Sequence, residues 1–345
     1  MQSINGLSQG LLKKNKPDSY KFFSQPFLQS ILVNKATDKS LQLSSYLAPK
    51  HWPLWFAIGL LRLTTLLPLS LLQSMGSALG ILIYRIVPSR RRAARINLKQ
   101  AYPDFTDKEI DVLNKKAFRS LGISVFETGI AWFSKSDALQ KLCQIEGKEH
   151  LDQAMAENKG VLLLSGHFTT LEMGGHLIGT YVDKYNAVFK KAHNPLFNAL
   201  MVHYRSKMGD ELIETKNVRG IIRGLKKGHA TWFGPDQDFA DQDVVFTPFL
   251  GGIASTLTAT AKIAKMTDAA VVPFYPVRLE NGKGYKLIVL PALENFPSDD
   301  IEADSAMVNR TIESMVYACP EQYLWSHKRF KTQADGADRS TNIYA

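Results

Sequence analysis

The 345-residue chain is 45% hydrophobic and 21% charged, the balance of an ordinary globular protein. That excludes a disordered, collagen-like or disulfide-framework molecule. Its formal net charge of +10 is unevenly placed, because residues 1–100 hold 14 basic and 2 acidic side chains while the rest is nearly neutral. A cationic amino-terminal segment of this kind suits a nucleic acid or an anionic lipid surface.

Residues 1–50 have no clear periodicity, and Lys13, Lys14 and Lys16 precede no compact apolar run with a small-residue cleavage site. A signal peptide is therefore not expected, and the segment reads as an amino-terminal extension. From Pro53 to Val87 the charged residues are Arg62 and Arg85 alone. Trp52 and Trp55 stand at the entry of this run, and Arg90, Arg91, Arg92 and Arg95 follow its exit. The pattern predicts a membrane-anchoring helical segment over residues 51–96, with its basic end cytoplasmic. A buried helical hairpin broken at Pro68 competes with that reading, and Arg62, Pro68 and Gln73 weaken any single clean span.

Beyond the arginines, Ile110, Leu113, Ala117, Leu121 and Val125 fall near helical spacing within a helical stretch that ends about Phe133. From about residue 145 short apolar runs alternate with helical stretches. The runs are Val161-Leu162-Leu163-Leu164, Ala187-Val188-Phe189, Ala230-Thr231-Trp232-Phe233, Val271 to Tyr275 and Leu287 to Leu290; the helices lie around 195–207, 218–227, 255–266 and 303–318. Uninterrupted apolar strands alternating with helices predict an α/β domain over 97–333, a mixed open sheet flanked by helices. Residues 334–345 are then a carboxyl-terminal tail. Two cysteines, Cys143 and Cys319, imply no disulfide scaffold and fit a reducing compartment.

Ligands of such sheets bind beyond the carboxyl ends of the strands. His167 and the block Gly234-Pro235-Asp236-Gln237-Asp238 each follow a strand directly, so both belong to one candidate site. His167 and Glu172 are five apart and cannot share one face of a regular helix. With His167 in the turn and Glu172 on the first helical turn, the carboxylate can reach back to a ring nitrogen. That gives a base and its orienting acid without a protein nucleophile, which suits a hydroxyl substrate. The bland alternative makes His167 a helix cap and Glu172 the partner of a lysine. A metal site from His167, Glu172 and His176 fails on geometry, since the two histidines point in roughly opposite directions. No glycine-rich phosphate loop and no serine nucleophile elbow occur; the Gly251-Gly252 pair carries no weight as a phosphate loop.

These residues belong to an ordered series that resembles the lipid A biosynthesis acyltransferases, the late lauroyl, myristoyl or palmitoleoyl transferases of the lysophospholipid acyltransferase superfamily. The superfamily hallmark, a histidine, four residues and an acid, is met by His167 and Glu172. The likeness continues through Arg95-Ile96-Asn97-Leu98, Phe118-Arg119-Ser120-Leu121-Gly122, Phe126-Glu127-Thr128-Gly129 and His193-Asn194-Pro195. It runs on through Asn217 to Gly220, Trp232 to Asp238, and Pro320 to Trp325 with His327, Arg329 and Phe330. Two departures stand out. Lys190-Lys191-Ala192 precede His193 where family members often carry an arginine, and the series Arg329-Phe330-Lys331-Thr332 ends on Gln333 in place of a final arginine. A lysine meets phosphate as a point charge and gives up the bidentate fork.

The resemblance implies a glycerolipid acyltransferase-like fold on the cytoplasmic face of the cell inner membrane, among inner-membrane lipids, with no cofactor. It implies a fatty acyl donor carried as a thioester on acyl carrier protein, and as acceptor a hydroxyl on the Kdo-bearing lipid A precursor. His167 and Glu172 would then form the catalytic pair. Arg219, Asp236, Gln237, Lys191 and Glu127 are the expected substrate-binding residues. Glu127 either lines the site or pairs with Arg119, and Asp236 could equally form a turn. The expected oxyanion stabilisers are helix amides after His167, with Arg219 as the alternative. Another membrane lipid as acceptor is one competing function; a non-enzymatic basic adaptor is another. The near-neutral body, without interleaved basic and aromatic residues, speaks against nucleic acid.

Overall fold

The computed structural model describes residues 43–240, 243–334 and 343–344; most of the expected amino-terminal extension and carboxyl-terminal tail lies outside them. The apolar run that opens the described chain folds as two helices, α1 (Trp52–Thr64) and α2 (Leu69–Ile86), because Pro68 stands immediately before the second with extended backbone. α3 (Pro88–Ala101) carries the arginines, and α4 (Asp107–Phe133) follows. α4 begins at a capping box, with Thr106 accepting from the Glu109 amide and the Glu109 carboxylate accepting from the Thr106 amide. α2 lies against α4 through small residues: a Cβ on Gly80 would sit 2.0 Å from the Phe118 carbonyl oxygen, and one on Gly122 would sit 2.1 Å from that of Gly76. Seven residues further along α4, on the same face, Gly129 receives Leu61 of α1.

A short helix, α5 (Ser136–Gln140), leads into β1 (Cys143–Glu146), α6 (Lys148–Ala156), β2 (Val161–Leu164), α7 (Leu171–Ile178) and β3 (Tyr185–Phe189). Then come α8 (Pro195–Arg205), β4 (Glu211–Glu214), α9 (Val218–Lys226) and β5 (Ala230–Phe233). A hairpin of β6 (Val244–Phe249) and β7 (Gly252–Leu257) precedes α10 (Ala259–Thr267), β8 (Ala270–Arg278), β9 (Tyr285–Val289) and α11 (Ile301–Ala318).

The seven-stranded sheet has the order β1-β9-β8-β2-β5-β3-β4. β8, β2, β5, β3 and β4 run parallel, and β9 with β1 runs opposite. The central strand β2 is buried at every residue, as a strand covered by helices on both faces must be. The mixed α/β architecture expected from the alternation is therefore present. Cys143 and Cys319 are free thiols.

One element differs from expectation. Residues 255–257, expected to open the helix around 255–266, instead end β7, the second arm of the β6–β7 hairpin. Its turn uses Leu250 at φ 45 and Gly251 at φ 76, the left-handed pair of a two-residue hairpin. A Cβ on Gly251 would also lie 2.2 Å from the Gln100 carbonyl oxygen. Turn geometry and the close approach of α3 explain the glycine pair.

Candidate active site

β2 and β5 are neighbours in register, Leu164 opposite Phe233, so the turns leaving their carboxyl ends meet. His167 sits in the first turn and Asp236 in the second. The His167 Nδ1 lies 2.6 Å from Asp236 Oδ1, and the His167 amide donates to Oδ2 at 2.8 Å. The Tyr323 hydroxyl donates to the same Oδ2 at 2.9 Å. One carboxylate thus fixes both the ring and the backbone of His167. Asp236 is 1% exposed. Its burial would push the carboxyl up, but the imidazole, its amide and the tyrosine override that and hold it down at about 2.

An ionised Asp236 on Nδ1 selects the tautomer in which Nδ1 carries the hydrogen and Nε2 the lone pair, the form a general base requires. Trp232 packs its indole edge-to-face on the imidazole with centroids 5.6 Å apart. Gly234 is needed beside them, because a Cβ there would come within 2.5 Å of Trp232 and 3.2 Å of His167 Cε1. Among the described residues, no serine, threonine or cysteine side chain hydrogen-bonds the ring.

Glu172 does not hold the imidazole, contrary to the expectation from spacing. Its carboxylate lies in the first turn of α7 and turns toward α8 and α4. Arg205 Nε and Nη2 donate to it at 3.0 and 2.5 Å, and the Trp132 indole N–H donates at 2.7 Å. His176 Nε2 is 3.8 Å away. Burial alone would raise the Glu172 carboxyl, but Arg205, with His176, holds it well below the usual carboxylate range. The physical reason for the difference is that Asp236 already occupies Nδ1, while a guanidinium and an indole meet Glu172 on the opposite side. The Glu172–Arg205 pair lines a narrow cavity with Trp232, Tyr185 and Met208, so it adjoins the imidazole through Trp232.

The other expected residues divide into two groups. Lys191 follows β3, Arg219 opens α9 beyond β4, and Gln237 follows Asp236. All three stand at the carboxyl edge of the parallel strands, where Lys191 and Arg219 are exposed and Gln237 is half-buried. Glu127 is not a site-lining residue: it is 1% exposed, and Arg278, not Arg119, grips both its oxygens at 2.6 Å. Three of the amides expected to serve an oxyanion are already engaged. The amides of Phe168, Thr169 and Leu171 donate to Gly166, Gln322 and Phe168 carbonyls, because α7 begins four residues after the histidine and not directly behind it.

Residues that sequence reasoning passed over include Arg205 and Tyr323. Tyr323 lies on a segment that clamps the histidine turn, with Thr169 N–H donating to Gln322 O at 2.7 Å and Leu324 N–H donating to His167 O at 3.1 Å. The sequence signal for Asp236 was its place directly after a strand, as for His167; that the two strands are neighbours comes from the sheet order. Arg205, 33 residues beyond Glu172 in the numbering, gives no local signal.

Compared with known proteins, residues 41–332 match the family described as bacterial lipid A biosynthesis acyltransferase. The chain is 35% identical to the lipid A biosynthesis lauroyltransferase of Escherichia coli K12 over 294 residues, 85% of this chain and 96% of that protein. It is 34% identical to the palmitoleoyltransferase of the same organism, covering 84% of this chain and 95% of that protein. A third relative is the E. coli K12 myristoyltransferase, 24% identical over 85% of this chain and 91% of that protein.

Proposed function

The chain belongs to the bacterial lipid A biosynthesis acyltransferase family, and from that membership we propose that it acylates a lipid A precursor. The donor is a fatty acyl thioester of acyl carrier protein, and the acceptor is a hydroxyl on an acyl chain of the Kdo-bearing precursor. The observation that carries this reading is the His167–Asp236 contact at the carboxyl edge of β2 and β5. His167 Nε2 takes the proton of the acceptor hydroxyl as its oxygen attacks the thioester carbonyl. The tetrahedral intermediate then collapses with cleavage of the C–S bond, and the imidazolium returns the proton to the departing thiolate. Asp236 positions the ring and stabilises its protonated form without itself taking the proton. Lys191 and Arg219 supply exposed positive charge on the rim, suited to the phosphates of the acceptor.

Incubating the purified protein with a panel of acyl carrier protein thioesters and the lipid A precursor tests this directly. A product heavier by one acyl chain is expected. Transfer to a lysophospholipid instead, with none to the precursor, would replace the acceptor named here.

The surface supports attachment to the cytoplasmic face of the inner membrane. Trp52, Phe56, Leu60, Leu63 and Leu67 are exposed at helical spacing along α1 and just past its end. On α2, Leu71, Met75, Leu82 and Ile86 are exposed opposite the glycines that pack on α4. Leu66, at the joint, is 82% exposed. α2 is the one described helix long and apolar enough to cross a membrane. It is tied to the α/β domain at its start, where Gln73 donates to the Leu279 carbonyl and accepts from the Gly282 amide. An apolar face of this extent calls for a hydrocarbon partner. The protein is expected to stay with membranes through a high-salt wash and to leave them in detergent. Release by salt alone would mean that its cationic residues, not this face, hold it there.

A further inference from the structure

A buried polar chain runs from α4 to the turn that carries His167, and it is separate from the contacts that hold the ring. Glu127 and Arg278 form a two-pronged ion pair at 2.6 Å on both prongs. The remaining Arg278 nitrogen, Nη1, donates to Ser120 Oγ at 2.7 Å. Ser120 Oγ lies 2.6 Å from Thr169 Oγ1, two residues past the histidine. Through its backbone Arg278 also holds Gln322: its amide donates to Gln322 Oε1 at 2.8 Å, and Gln322 Nε2 donates back to its carbonyl at 3.2 Å. Gln322 in turn receives the Thr169 amide. Every member is buried.

Stability alone does not account for this buried network. A buried ion pair recovers little net free energy over apolar packing of the same volume, since both charges must be desolvated. Its position does what apolar packing cannot: Ser120 of α4 and Gln322 of the 320–325 segment each bond Thr169 in the turn, and Arg278 at the end of β8 ties those two partners together. A satisfied network of this kind fixes a single geometry. We infer that Glu127, Arg278, Ser120 and Thr169 are positioning residues that set the backbone of the His167 turn, and so the reach of Nε2, without touching the substrate. The inference rests on the reading of His167 as the general base.

Thr169→Val removes the hydroxyl at nearly constant shape, and Thr169→Ser restores it. Full-length protein carrying each change is assayed for acyl transfer, with the thermal midpoint measured alongside and His167→Ala as control. For Thr169→Val the inference expects a folded protein with kcat lowered about tenfold, KM for both substrates unchanged, and recovery in Thr169→Ser. The acid limb of its pH–rate profile should coincide with that of wild type, because the Asp236 contact is intact. Glu127→Gln should reproduce the kcat loss if it folds; the threonine pair decides the matter if it does not. A folded Thr169→Val with wild-type kcat, or a serine that fails to rescue, overturns the inference while an inactive His167→Ala leaves the base intact. Near-normal transfer by His167→Ala removes the base reading and this inference together.

Discussion

Replacing His167 by Ala is expected to lower acyl transfer by about 10²–10⁴-fold, the usual contribution of a positioned general base. The mutation also takes the imidazole from buried Asp236, leaving it the residue-167 amide and the Tyr323 hydroxyl, which raises the carboxyl it had held down and weakens the fold. His167→Gln separates the two effects, since its amide supplies an N–H for Asp236 but no basic nitrogen. It should be as inactive as His167→Ala and closer to wild type in thermal midpoint. Asp236→Asn should also be severe, because the ring loses its preferred tautomer. The double variant should be little worse than the worse single one, as expected when two groups act as a unit. Asp236, held at about 2, remains ionised throughout the working range, so its own protonation does not shape the acid limb of the wild-type rate profile. Near-wild-type transfer by a folded His167→Gln would exclude this histidine as the base.

The central strands were legible because burial on both faces leaves a run such as Val161 to Leu164 with no polar residue to confuse it. The placement of His167 and Asp236 at one edge followed from the same pattern, since parallel strands deliver their exits to one side. Partner assignment was not legible. Spacing along the chain lets Glu172 reach the ring and the family resemblance pairs the two, but register between β2 and β5 decides the partner, and a register of strands 69 residues apart leaves no local trace. Glu127 was misread for a related reason: Arg278 lies 151 residues away, whereas Arg119 is a helix neighbour. The β6–β7 hairpin was hidden because its turn begins on Leu250, a residue that seldom adopts positive φ. The apolar run of 53–87 was legible in composition, while its division into an exposed and a packed face came from Gly76 and Gly80, whose meaning depends on α4.

Arg205→Ala is expected to cost about 3–5 kcal/mol of folding stability at neutral pH, because it leaves Glu172 buried without its counter-charge. The Trp132 indole and the more distant His176 compensate only in part. The pH dependence gives this prediction its sign. In the wild type the Glu172 carboxyl is depressed below its unfolded value, so the pair stabilises the fold above that value and the benefit fades as pH falls. Without Arg205, desolvation is the dominant influence left and raises the carboxyl above its unfolded value. The dependence then inverts: the variant is weakest at neutral and alkaline pH and recovers on acidification, as Glu172 takes up a proton and becomes neutral. Adding Glu172→Gln to Arg205→Ala removes the buried charge and should restore much of the loss at neutral pH. Glu172→Gln alone should leave the acid limb of the rate profile where it is in the wild type, since Glu172 does not bond the imidazole. Urea unfolding of the three variants at pH 5 and pH 8 measures the stabilities. An Arg205→Ala protein as stable as wild type at pH 8 would mean that Glu172 reaches water or another cation in solution, and that the pair does not anchor α7 to α8.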